Sequence, residues 1–151
     1  MKKAKLLIIA FTLFFGVSQA FGVSQEIVSA LNSGNALTLS SFFNNNIELV
    51  VGSRDDIFRK QQASNIVADF FRRNPVKSFT VSNRGECEAS SFVTGTLQTT
   101  NGSFRVYVLT RKSGNADVIQ QLRIERHFQE PRRRFQEPRR RCGSVRTDNA
   151  N

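Results

Sequence analysis

A change of hydrophobic period at Pro75 constrains this chain more than any other feature. Before it, Ala63, Ile66, Val67, Phe70 and Phe71 recur at i, i+3, i+4, i+7 and i+8. That spacing is the apolar stripe of an amphipathic helix. Lys60, Gln61, Gln62, Asn65, Asp69, Arg72 and Arg73 take the other faces. Pro75 ends the helix, because the residue before a proline disfavours helical geometry. Behind it the period falls to two: Phe79 and Val81 alternate with Ser78, Thr80 and Ser82. Helices first and strands after imply an α+β fold, with N-terminal helices packed on one face of a curved antiparallel sheet.

The remaining elements follow from the same signals. Ser24 is placed to cap a first helix bearing Ile27, Val28 and Leu31, closed by Gly34. Asn35 starts a shorter helix carrying Leu39, Phe42 and Phe43, which Asn44-Asn45-Asn46 ends. Ile47–Val51 reads as a strand with Ile47, Leu49 and Val51 facing one way, broken by Gly52 and Ser53. Asp55 or Asp56 is the expected cap of the long helix. Residues 84–90 read as a polar loop, and 92–99, 103–111 and 117–125 as strands. Asn101-Gly102 between two of these is a strong hairpin signal and predicts a type I′ turn. Gly95, alone inside a strand, marks a bulge or close packing. Phe42, Phe43, Phe58, Phe70, Phe71, Phe79, Phe92 and Phe104 are the expected core.

The net charge of +10 over 151 residues is unevenly placed. Residues 1–20 carry three lysines and no acid, and residues 127–151 carry seven arginines and three acids. The stretch between is nearly balanced, which argues against a nucleic-acid-binding body. Lys2, Lys3 and Lys5, the apolar run Leu6–Phe15 and the small residues Ser18 and Ala20 have the order of a secretory signal peptide. The organisation expected is therefore a signal peptide at 1–20, one α+β domain at 21–126, and a disordered Arg-rich tail at 127–151. In that tail Phe128–Arg134 is repeated as Phe135–Arg141. The protein is expected outside the cytoplasm, periplasmic or secreted after cleavage near Ala20, without a transmembrane segment. Export would allow Cys87 and Cys142 to pair, although spacing alone cannot establish the bridge. One histidine and two cysteines exclude a multi-His or Cys-rich metal centre. Neither a metal nor another cofactor is expected.

Several segments together resemble a known family. They are Asp56–Ala63, Asp69–Phe79 with its Phe-Phe-Arg-Arg-Asn-Pro core, Gly95–Tyr107 and Ile119–Glu125. They resemble small exported bacterial proteins defined only as a domain of unknown function. The resemblance covers about residues 25–125 and implies a nuclear-transport-factor-2-like, or cystatin-like, cone. It carries over no catalytic residue, and this fold hosts enzymes, binders and scaffolds alike. The chain departs from the family after Glu125.

Strand parity supplies the candidate site. Phe104, Val106 and Val108 point one way, and Arg105, Tyr107 and Leu109 the other. Likewise Gln121, Arg123 and Glu125 oppose Leu122 and Ile124. If the two strands pair, Arg105, Tyr107, Gln121, Arg123 and Glu125 form one polar patch, a ligand or partner surface. Asp55, Asp56, Asp69 and Asp117 show no placement in a pocket. The expectation is a non-catalytic module for a small apolar ligand or a protein partner, open to homodimerisation through its sheet. The alternative is a small hydrolase or isomerase using the cone cavity. A third reading has the arginine tail meeting anionic lipid.

Overall fold

The computed structural model describes residues 23–127. The elements in chain order are α1 (Gln25–Ser33), α2 (Ala36–Ser41), β1 (Phe43–Val51), β2 (Arg54–Arg59) and α3 (Lys60–Arg73). Then come β3 (Val76–Cys87), β4 (Ser90–Thr99), β5 (Gly102–Ser113) and β6 (Ala116–Arg126). The six strands form one sheet in the order β2-β1-β6-β5-β4-β3. Four of its ladders are antiparallel. The fifth, β1 with β6, is parallel, so the expected antiparallel sheet is mixed at one seam.

The helix ends follow local chemistry. Ser24 accepts from the Glu26 N–H and opens α1. Gly34 closes it in the left-handed region, at φ 66°. Asn35 Oδ1 accepts from the Thr38 N–H at 3.0 Å and opens α2. The Asn74 backbone and side chain both donate to the Phe70 carbonyl at the end of α3. Asn101 Nδ2 donates to the Arg73 carbonyl at 2.6 Å. Asn101 therefore caps a helix and sits in a hairpin at once.

Helices cover one face of the sheet. Val67 and the Phe70 and Phe71 rings of α3 are buried there with Phe43, Leu49, Val51, Phe79, Val93, Leu97, Phe104, Val106, Val108, Leu122 and Ile124. The Phe70 ring meets Phe104 edge-on at 5.0 Å. Gly95 confirms the close-packing reading: a Cβ there would lie 2.5 Å from the Thr80 carbonyl oxygen and 2.6 Å from the Phe79 ring.

Five local expectations are corrected. Phe43 and Asn44-Asn45-Asn46 belong to β1, which pairs with β6 from Phe43↔Ile119 onward, so they do not end a helix. Asp55 and Asp56 lie in β2, a charged edge strand paired with β1, and α3 starts only at Lys60. Charge on an edge strand blocks unwanted strand pairing and hides the strand from a hydrophobicity search. Residues 84–87 continue β3 and residue 90 opens β4, so the polar loop shrinks to a tight turn. The 101–102 hairpin exists, but Asn101 lacks the positive φ of a type I′ turn, and Gly102 carries it at 121°. Phe92 leaves the core for the opposite face of the sheet, where it stacks on Tyr107.

Cys87 is disulfide-bonded. Cys142, the other cysteine of the sequence, lies outside the described residues. So do the expected signal peptide and the duplicated heptapeptide.

Candidate functional site

Register builds the uncovered face of the sheet row by row. One row runs Gly85, Phe92, Leu109, Gln121, Glu48 and Ile57 across all six strands. The next runs Asn83, Thr94, Tyr107, Arg123, Val50 and Asp55. A third places Thr96, Arg105 and Glu125 side by side. The sequence expectation needed β5 and β6 to pair, and they do, with Arg105↔Glu125, Tyr107↔Arg123 and Leu109↔Gln121.

The second and third rows enclose a pocket of about 220 Å³ lined by Ser82, Asn83, Thr94, Arg105, Tyr107, Arg123 and Glu125. Its rim is a register shift in β3 between Val81 and Asn83. Such a bulge bends a strand and re-aims its side chains, and bulges concentrate beside functional sites. Upstream of the shift Phe79 and Val81 pair with Leu97 and Gly95 on the helix-covered side. Downstream Asn83 and Gly85 pair with Thr94 and Phe92 on the open side. The switch therefore delivers Ser82 and Asn83 to the pocket. Hydrophobic alternation does not reveal it, because the residues involved are small and polar.

Arg123 lines the β6 side of the pocket. Its Nη2 donates to Glu125 Oε1 at 3.2 Å, a pairing along one strand rather than across two. Its Nε is buried with no hydrogen-bond partner. Tyr107 stacks on Phe92 with ring centroids 6.1 Å apart. Phe92 in turn covers Gly85, where a Cβ would strike its ring. Gln121 belongs to the neighbouring row and donates to Glu48 across the parallel seam, so it flanks the pocket without lining it. Of the five residues of the expected patch, Arg105, Tyr107, Arg123 and Glu125 thus line one cavity and Gln121 lies beside it.

The helix-covered face has a different chemistry. Among the described residues, the buried polar side chains are Ser40, Ser91, Thr99 and Thr110, and none is charged. Asp69 instead pairs with Arg72 and Arg73 on the exposed side of α3. Asp55, Asp56 and Asp117 do not line the pocket. No group of three or more His, Cys, Asp or Glu among the described residues is placed to hold a metal ion. No described helix is long and apolar enough to cross a membrane.

A family model for a domain of unknown function, DUF4783, matches residues 24–125. The chain is a member of the DUF4783 family. A DUF4783 protein of known structure from Bacteroides ovatus ATCC 8483 is 35% identical, with a TM-score of 0.67 over 70% of this chain and 96% of that one. Another, from Bacteroides uniformis ATCC 8492, is 33% identical, with a TM-score of 0.67 over 71% and 99%. No curated protein matches the sequence. A cystatin-like domain of unknown function from Nostoc punctiforme PCC 73102 superimposes with a TM-score of 0.53 at 9% identity, over 68% of this chain and 72% of that one. At that identity the likeness shows the fold alone. DUF4783 here is thus a cystatin-like, nuclear-transport-factor-2-like α+β domain, as the sequence implied.

Proposed function

We propose that this DUF4783 chain is an exported, non-catalytic binding module that engages a partner on the open face of its sheet. The observation that carries the reading is the division of the sheet into two chemistries. The helix-covered face is filled with apolar side chains and buries no charge. The open face gathers two arginines, a tyrosine, a glutamate and three small polar side chains around one cavity. A hydrolase or isomerase working inside the cone would need an acid or base within the covered face. The polar lining supports a protein or polar partner over a small apolar ligand. The basic, apolar and small-residue order of residues 1–20 supports export.

The test is native mass spectrometry of the chain recovered from the cell envelope. The mass should show cleavage near Ala20 and a non-covalent adduct or partner chain. A Tyr107→Ala, Arg123→Ala variant should lose that adduct while keeping its far-UV circular dichroism. Bare protein from both preparations overturns the binding reading.

A further inference from the structure

One donor in the pocket is left over. The guanidinium of Arg123 presents Nε–H and Nη2 on the same edge, a fork that fits the two oxygens of a carboxylate. Glu125 takes only the Nη2 prong, and Nε stays buried and unmatched. Buried polar groups are rarely left so, and one that is calls for a specific explanation. The Arg123 side chain as a whole is 32% exposed, so its guanidinium can turn within the cavity. Its neighbour across the parallel seam is Val50, buried on this face, and its neighbour on the other side is Tyr107. At about 220 Å³ the cavity is smaller than the roughly 300–1,000 Å³ of sites that enclose a whole ligand, so it suits one functional group.

We propose that this pocket recognises a carboxylate. With the guanidinium turned to bring its Nε edge to the cavity, one carboxylate oxygen accepts from Arg123 Nε–H, and Arg105 makes the lining net positive against Glu125. Ser82, Asn83 and Thr94 offer donors around the second oxygen. Lysine offers no equivalent, because it lacks the planar guanidinium that gives one N–H to Glu125 and fixes the direction of another toward the ligand. The proposal rests on the binding reading above and names the ligand class at that site. A chain end of a protein partner and a free small acid share this chemistry, and the test separates them.

The experiment follows the Arg123 Nε–H resonance of the full-length ¹⁵N-labelled chain. The probes are acetate, an N-acetylated dipeptide with a free C-terminus, the same dipeptide amidated, and chloride at matched ionic strength. The free-acid peptide should give a saturable shift with Kd of about 1 mM or tighter, and the amide should bind at least about tenfold more weakly. Acetate matching the peptide supports the site and assigns it to small acids. Peptide binding well beyond acetate supports it and assigns it to chain ends. Arg123→Lys should keep the melting temperature and lose at least about tenfold in affinity. A linear, chloride-like response to every probe overturns the proposal, as does equal binding of the acid and the amide. An envelope adduct that persists in Arg123→Lys beside a flat carboxylate titration would leave the binding module standing and remove only its carboxylate assignment.

Discussion

Gly95→Ala tests how rigidly β3 and β4 are held together. The new Cβ would sit 2.5 Å from the Thr80 carbonyl oxygen and 2.6 Å from two ring carbons of Phe79, where ordinary contact begins at 3.4 Å. The overlap is thus about 0.9 Å, more than side-chain adjustment absorbs in a packed interior. Neither obstacle moves freely. The oxygen belongs to the strand backbone, next to the Val81↔Gly95 pair, and the Phe79 ring is buried. Overpacking of this kind costs about 1–3 kcal/mol, and opening one ladder hydrogen bond adds about 1. Restricting the unfolded chain returns about 0.4–1 kcal/mol. The net loss should be about 2–3 kcal/mol, or roughly 10–20 °C in melting temperature for a domain of this size.

Gly85→Ala provides the internal contrast. The three atoms nearest its Cβ all belong to the Phe92 side chain, with Cε1 the nearest and Cζ at 2.5 Å, and none is backbone. That ring is half-exposed and can turn, so the cost should be about 1 kcal/mol. It should vanish in a Phe92→Ala background, since the two residues are in contact and couple. Thermal and urea unfolding of Gly95→Ala, Gly85→Ala, Phe92→Ala and the Gly85→Ala, Phe92→Ala double variant measure this directly. A Gly95→Ala protein melting within a few degrees of wild type, or a Gly85→Ala protein that is the less stable, would refute the reasoning.

Three further outcomes follow from other contacts. Arg123→Met removes a buried unmatched donor and a partly exposed ion pair, so stability should hold or rise by about 1 kcal/mol while carboxylate binding disappears, read by urea unfolding and titration. Asn101→Ala should lose about 1 kcal/mol, with faster amide hydrogen exchange at the C-terminal turn of α3, where its side chain caps the Arg73 carbonyl. Peptide mapping without reduction should recover Cys87 joined to Cys142, the only other cysteine of the sequence, and no free thiol.

Much of the framework was legible because it rests on burial. The α3 stripe, the caps at Ser24, Gly34 and Asn35, and the parity of β5 and β6 all report which side chains leave water. Parity also placed Arg105, Tyr107 and Arg123 on one surface. What escaped depends on long-range pairing. β2 is an edge strand of charged residues whose Ile57 stays exposed, so nothing in its own pattern distinguishes it from the start of a helix. The parallel seam joins segments about seventy residues apart, and local periodicity carries no information about that choice. The β3 bulge exchanged faces among small polar residues, and so Ser82 and Asn83 were missed in the pocket. Phe92 was assigned to the core because an aromatic side chain in a strand is normally buried there. Here Gly85 makes room for it on the other face.

The parallel seam also sets an order of events in time. β1 emerges early, yet its partner β6 is the last strand of the domain, and the Glu48–Gln121 contact spans 73 residues. A chain delivered N-terminus first can build the β1–β2 hairpin and α3 and then wait. β1 finds its inner neighbour only once the far end of the domain is free. Non-local pairing of this kind slows closure of the sheet.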